Sequence, residues 1–233
     1  MFDDWRALAT WVFDQVFPAE CMGCSATIPE AIGFCVPCRS LLERNGTPVL
    51  GELPLLAPYR FTGPVAKAIH RLKYEERSEY ARRLVGDVAF SGFPSWLEGA
   101  TLVPVPIHPA RLVERGYDQA GLLARSLAHR WGLAVDLGLL RRVRFIARQV
   151  GLDREARRVN VRGAFEVRRA PLIGRAWPFI GRSDAPSVSA VARVVLVDDV
   201  VTTGATIRAC VDALDAARIQ VVGVVAVARA VKP

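Results

Sequence analysis

Residues 194–206, VVLVDDVVTTGAT, constrain the fold more than any other stretch of this chain. Val194, Val195, Leu196 and Val197 open it, apolar and mostly β-branched, the composition of a short buried strand. Two adjacent carboxylates follow, Asp198 and Asp199, and then a turn of small and hydroxylated residues over 200–204. Apolar positions resume at Ile207, Val211 and Leu214 with helical spacing. The order is strand, acidic pair, Thr-Thr-Gly turn, helix.

This order implies a chemistry. The first backbone N–H groups of a helix have no partner within it, and the helix dipole adds partial positive charge there. Such a turn holds a phosphate. Thr202, Thr203 and Thr206 add hydroxyl donors, and Gly204 allows close approach of the backbone. The two aspartates repel a phosphate, but they accept hydrogen bonds from the hydroxyls of a ribose or help to hold Mg²⁺. The expected ligand is a sugar phosphate. No Gly-Lys-Ser/Thr is present, so this is not a Walker A loop. The stretch resembles the phosphoribosyl-pyrophosphate (PRPP) motif of type I phosphoribosyltransferases.

A second constraint lies near the N-terminus. Cys21-Met-Gly-Cys24 is followed after ten residues by Cys35-Val-Pro-Cys38. Two such knuckles bring four thiolates around one ion, the tetrahedral Cys₄ arrangement that zinc favours, although iron accepts the same ligands. Disulfides are the competing arrangement, but nothing in the sequence indicates secretion. Four thiolates leave no open coordination position, so the metal is expected to be structural. Cys24→Ser is then expected to lower stability more than activity. Cys210, inside the helix after the turn, reads as a small core residue.

With 233 residues, 52% of them apolar, the chain can bury a sizeable core. It divides into an N-terminal helix and Cys₄ module over 1–50 and a main domain over 51–233, with a loop-like insertion at 170–190. The apolar runs are too short to span a membrane, and Asp3 and Asp4 stand where a signal peptide is basic. A cytoplasmic protein without membrane insertion is expected. Helices are predicted over 1–17, 63–72 and 78–88, and strands over 55–61, 101–107 and 220–228. Lys73 and Tyr74 fall between two helices, where both a solvent-facing position and a role in a site are open to them. The two prolines of TLVPVPI predict a strand that stops early or lies at an edge. His108, Arg111 and Arg115 follow it, and Asp118 can cap the next helix. These elements predict an α/β fold, a mostly parallel sheet with helices on both faces and the ligand at the carboxyl ends of its strands.

Net charge is +8. The surplus concentrates in 141–169, where ten arginines face only Asp153, Glu155 and Glu166. A short helix starting at Gly151 would carry Arg154, Arg157 and Arg158, and 160–167 would be a strand or hairpin edge. A basic stripe of this kind suits a polyanion.

The cysteine knuckles, VPVPIHPARLVERGYDQA, RQVGLDREARRVNVRGAF and VVLVDDVVTTGAT occur in an order that resembles the ComF family, competence-associated phosphoribosyltransferase-like proteins. The resemblance spans nearly the whole chain. It implies a type I phosphoribosyltransferase fold with a zinc-binding N-terminal segment. It also implies a role in DNA uptake during natural transformation, single-stranded DNA being passed on through partners such as the competence helicase. Asp198 and Asp199 would hold ribose hydroxyls, and Val201, Thr202, Thr203, Gly204, Ala205 and Thr206 would cradle the 5′-phosphate. Arg111 and Arg115 would meet pyrophosphate or DNA phosphate, as would Arg154, Arg157 and Arg158, and Mg²⁺ would accompany PRPP. The family's Arg-Gly-Phe-Asn-Gln is here Arg115-Gly-Tyr117-Asp118-Gln119. Two functions follow: a nucleic-acid-handling protein that binds PRPP or a nucleotide, or an active phosphoribosyltransferase in nucleotide salvage or synthesis. No aromatic follows the last strand, over 228–233, to stack a base, and the sequence identifies no catalytic residue.

Overall fold

The computed structural model describes residues 19–28, 33–46, 49–143, 163–168 and 193–230. The helix expected over 1–17, the segment with Arg154, Arg157 and Arg158, and the 170–190 insertion lie outside the described residues. Strand β7 (Arg193–Val201) lies between β8 (Gln220–Arg229) and β4 (Thr101–Pro104), parallel to both. On the other side of β8 run β2 (Leu53–Leu56) and β3 (Tyr59–Arg60), also parallel, and β1 (Val49–Leu50) pairs antiparallel with β2.

Alternation along the central strands builds two cores. Val194, Leu196, Val224 and Ala226 enter one apolar cluster, while Val195, Val197, Val225 and Val227 enter the other. Both faces are covered, which is why these strands read as continuous apolar runs. The first face carries α6 (Ala205–Ala216) and a hairpin of β5 (Leu140–Arg142) and β6 (Phe165–Val167). The second carries α2 (Gly63–Tyr74), α3 (Tyr80–Phe90) and α5 (Gln119–Trp131). The expected parallel α/β sheet is present.

Local departures have local causes. The strand expected over 55–61 is broken at Ala57-Pro58, and Pro58 has no N–H to give to a ladder. Strand β4 both ends at Pro104 and lies at the sheet edge, as its prolines predict. That edge is partly filled, for Leu102 N–H donates to Ala134 O at 2.8 Å and Asp136 N–H to Leu102 O at 2.9 Å. Helix α2 runs two residues past the expected end, which puts Lys73 and Tyr74 in its last turn rather than in a connection.

The cysteine knuckles share a core with the sheet. Met22, Phe34 and Cys38, the last on the short helix α1 (Val36–Ser40), are buried in the same cluster as Val65, Ile69 and Leu72 of α2. A side chain at Gly23 would place its Cβ 2.8 Å from Pro64 Cβ, so this contact requires glycine. Arg71 of α2 donates to the carbonyls of Cys21 and Met22, both at 3.4 Å. Arg83 of α3 donates to Glu20 O at 2.7 Å, and Arg77 pairs with the Glu20 carboxylate at 3.1 Å. Among the described residues, no helix is long and apolar enough to cross a membrane.

Candidate functional site

The Thr-Thr-Gly turn lies at the carboxyl end of β7 and leads directly into α6, so strand and helix hold it from both sides. Gly204 is the N-cap residue, with φ +74°, a left-handed conformation that favours glycine. A Cβ there would also lie 2.5 Å from Leu50 Cδ1, so Gly204 is needed for packing as well as for the turn. Thr203 Oγ1 accepts from the Ala205 amide at 3.4 Å, and Thr203 O accepts from Arg208 at 2.9 Å. Thr202 is exposed, and Thr203, Ala205 and Thr206 are half-buried. The first amides of a 12-residue helix therefore open next to hydroxyl groups.

Strand alternation sends the two acids to opposite faces of the sheet. Asp199 faces α2, where Lys73 Nζ lies 2.8 Å from its Oδ1. Asp198 accepts the Asp199 amide at 2.8 Å and lies where its charge is felt by Arg142 of β5 and Cys210 of α6. Burial and then the charge of Asp199 push Asp198 up to about 8, against the pull of Lys73. Asp118, at the N-cap position of α5, is also raised, first by burial and partly by Asp199, while the Gly121 and Ala120 amides pull it down. No well-formed side-chain cap bond is made there, and Asp118 Oδ1 has no partner among the described residues. Lys73 pairs with Asp199 and acts on Asp198, while Asp118 lies in the field of Asp199, so the carboxyl groups outnumber the paired cation, a surplus suited to a divalent cation or to ribose hydroxyls.

The raised Asp198 makes stability depend on pH. An ordinary carboxyl loses its proton near pH 4, whereas folded Asp198 keeps it until about 8. The folded state binds more protons in that window, so this stabilisation is full below about pH 4 and lost as pH rises through about 8. Asp198→Asn is neutral throughout. The Tm of the variant relative to the parent should therefore climb between pH 5 and pH 8, by roughly 3 °C or more. A flat difference across a calorimetric pH series would mean that Asp198 titrates as an ordinary carboxyl.

The candidate arginines sit in different surroundings. Arg115, at the end of α4 (Pro109–Arg115), donates to Gln119 Oε1 at 3.1 Å and to Tyr74 Oη at 3.3 Å. Its guanidinium stacks 4.9 Å from the centre of the Tyr74 ring, and no carboxylate pairs with it among the described residues. Arg111 also makes no ion pair among those residues and is half-buried. His108 caps α4, its Nδ1 accepting the Ala110 amide at 3.1 Å, and burial followed by Arg142 and Arg111 lowers its pKa. Arg142 is held over the Phe165 ring at 5.5 Å, with Nε unpartnered among the described residues. Sequence reasoning counted Arg142 only as part of a basic stripe and left Lys73 undecided. The signal for Lys73 was its position one turn beyond the buried face Val65, Ile69, Leu72 of α2, at the carboxyl end of the sheet.

The four knuckle cysteines form a group that can hold a metal ion, with ligand atoms all within 4.8 Å of one another. Cys24 and Cys35 Sγ are 3.7 Å apart. That matches the roughly 3.8 Å edge of a tetrahedron with metal–sulfur bonds of about 2.3 Å. Burial raises the Cys21 pKa, but amide donors from Cys35, Gly23 and Cys24 outweigh it and hold the thiol at about 6. The Cys35 amide reaches the Cys21 sulfur at 3.3 Å. Cys210 is buried inside α6, and burial pushes its thiol up, as a core cysteine requires.

Residues 114–232, more than half of the chain, match the phosphoribosyl transferase domain model. The chain is 29% identical over 199 residues to DNA utilization protein YhgH of Salmonella typhimurium LT2, covering 80% of each chain. It is 30% identical over 177 residues to the YhgH protein of Escherichia coli K12, covering 74% of this chain and 68% of that one. Competence protein F of Haemophilus influenzae Rd is 34% identical over 108 residues, 46% of this chain and 40% of the relative. With its phosphoribosyltransferase sheet, its acidic pair and turn, and its cysteine cluster, the chain belongs to the ComF family of phosphoribosyltransferase-like proteins.

Proposed function

We propose that this protein binds PRPP or a nucleoside 5′-phosphate, with Mg²⁺, at the end of β7 and acts in DNA uptake or utilisation through single-stranded DNA. The observation that carries the ligand is the acidic pair at a strand end followed by an open helix N-terminus. The 5′-phosphate sits against the amides of Ala205 and Thr206 and the hydroxyls of the turn. Asp199 and Asp198 accept the ribose hydroxyls, and Lys73 transfers part of its charge from Asp199 to the incoming anion. Mg²⁺ would be held with the help of Asp199 and of Asp198 once Asp198 has lost its proton, and would supply neutralisation of the pyrophosphate. Arg111 and Arg115 meet pyrophosphate or DNA phosphate. Zinc is the metal proposed for Cys21, Cys24, Cys35 and Cys38, in a structural role.

A role with DNA is supported by the relatives' names, DNA utilization protein and competence protein, and by the +7 carried by 141–169. Only Phe145 and Phe165 interleave those arginines, so binding by that window should be electrostatic and indifferent to sequence. Replacing Arg154, Arg157 and Arg158 together by Ala should flatten the salt dependence of DNA affinity by about 0.7 per lost phosphate contact. PRPP affinity should stay unchanged in the same variant. Loss of PRPP binding with DNA binding intact would assign those arginines to pyrophosphate instead. It would favour a second reading, a working phosphoribosyltransferase, which the intact pair of acids also supports. A DNA-uptake protein of this kind would hand the strand to a partner such as the competence helicase.

A further inference from the structure

We propose that Tyr74, backed by Arg115, is a stacking platform for the nucleobase of the ligand held at the acidic pair. The inference rests on the ligand reading above and deepens it. It makes the natural ligand base-bearing, a nucleoside 5′-phosphate or the terminal nucleotide of a single strand, rather than a bare sugar phosphate.

A chain of side-chain contacts leads from the acidic pair to Tyr74 and Arg115. Asp199 pairs with Lys73 at 2.8 Å, and Tyr74 is the next residue of the same helical turn. The Tyr74 ring and hydroxyl hold the Arg115 guanidinium at 4.9 and 3.3 Å. Arg115 donates to Gln119 at 3.1 Å, and Gln119 adjoins Asp118, the N-cap residue of α5. Two independent stretches of chain, one from α2 and one from the α4–α5 connection, thus meet at Tyr74 and Arg115 beside the acids.

A packing role alone would bury Tyr74, yet it is 48% exposed. The ring of His70 lies 4.8 Å from it, so the exposed surface is an aromatic and guanidinium face rather than an isolated phenol. A base with its π-face and ring dipoles is what such a face attracts, by stacking and cation–π interaction. This chain of contacts also has unspent hydrogen-bonding capacity. Gln119 is only 3% exposed, and its Nε2 has no partner among the described residues.

The test compares three probes by calorimetry with Mg²⁺ on the full chain: ribose 5-phosphate, AMP and a short oligo-dT strand. Tyr74→Ala should weaken AMP on the order of tenfold, the usual worth of one stacked base, and leave ribose 5-phosphate unchanged. Tyr74→Phe should keep AMP affinity close to that of the parent, because the ring survives without the hydroxyl. A parallel loss for oligo-dT would assign the base to a DNA end, and an unchanged oligo-dT would assign it to a mononucleotide. Unchanged AMP affinity in Tyr74→Ala overturns the platform, as does equal loss in Tyr74→Phe or loss of ribose 5-phosphate alongside AMP. If the parent binds ribose 5-phosphate but AMP no more tightly, the platform falls alone. If the parent binds neither, the reading of the acidic pair falls with it.

Discussion

Cys38→Ser should lower the Tm by roughly 10 °C and release the bound metal. Cys38 is buried at the junction of the two knuckles, and its sulfur lies 3.0 Å from where a Cβ on Gly23 would stand. Loss of one thiolate abolishes a closed site whose binding free energy is also folding free energy. The damage extends beyond the module, because Met22, Phe34 and Cys38 fill the same core as α2. A loss of about 3–5 kcal/mol corresponds to that fall in Tm for a chain of this length. Helix α2 carries the knuckle contacts at Pro64 and Arg71 and the site residue Lys73. Metal loss should therefore weaken ligand binding as well, where the sequence alone implied a larger effect on stability than on activity. Scanning calorimetry, metal analysis and ligand titration of Cys38→Ser and Cys24→Ser check this. Normal melting of metal-free protein would remove the structural role of the metal.

Lys73→Ala should cost about 3 kcal/mol of stability and at the same time raise the pKa of Asp198 further, because Lys73 pulls it down. Lys73 makes the one ion pair to the acids among the described residues, and Asp199 is only 7% exposed. Taking away one partner of a largely buried pair leaves the other charge without compensation. Asp198 is already raised by burial and by Asp199, so without Lys73 it holds its proton more firmly. Asp199→Asn combined with Lys73→Ala should recover much of the lost stability, because neither charge is then stranded. Additive losses in that double-mutant cycle would mean that Lys73 and Asp199 act independently.

The strand, turn and helix around the acidic pair were legible because their signals are local. A β-branched run, a glycine at the turn and helical spacing lie within a few residues of one another. The cysteine spacing was legible for the same reason. The opposite facing of Asp198 and Asp199 was implicit in the period-2 rule, yet it becomes meaningful only when the partners on each face are known. Lys73 was undecidable because its partner is far away in sequence and is brought near by the stacking of α2 on the sheet. Tyr74 and Arg115 were unreadable as a pair for the same reason. The break at Pro58 was foreseeable from proline chemistry, and the sequence reading ran a strand through it. Gly204 was expected to make room for phosphate. The structure adds Leu50 as a second reason, so Gly204→Val tests packing together with binding.

On the proposed function, the carboxyl end of β7 holds a ribose 5-phosphate group on Asp198, Asp199 and the start of α6. Titration of PRPP with Mg²⁺ into the parent and into Asp199→Asn tests it most directly. Saturable one-to-one binding is expected in the parent, with affinity reduced on the order of tenfold or more in the variant, the worth of a charge-assisted hydrogen bond. Equal affinity in the two proteins, or no binding to the parent, would contradict it.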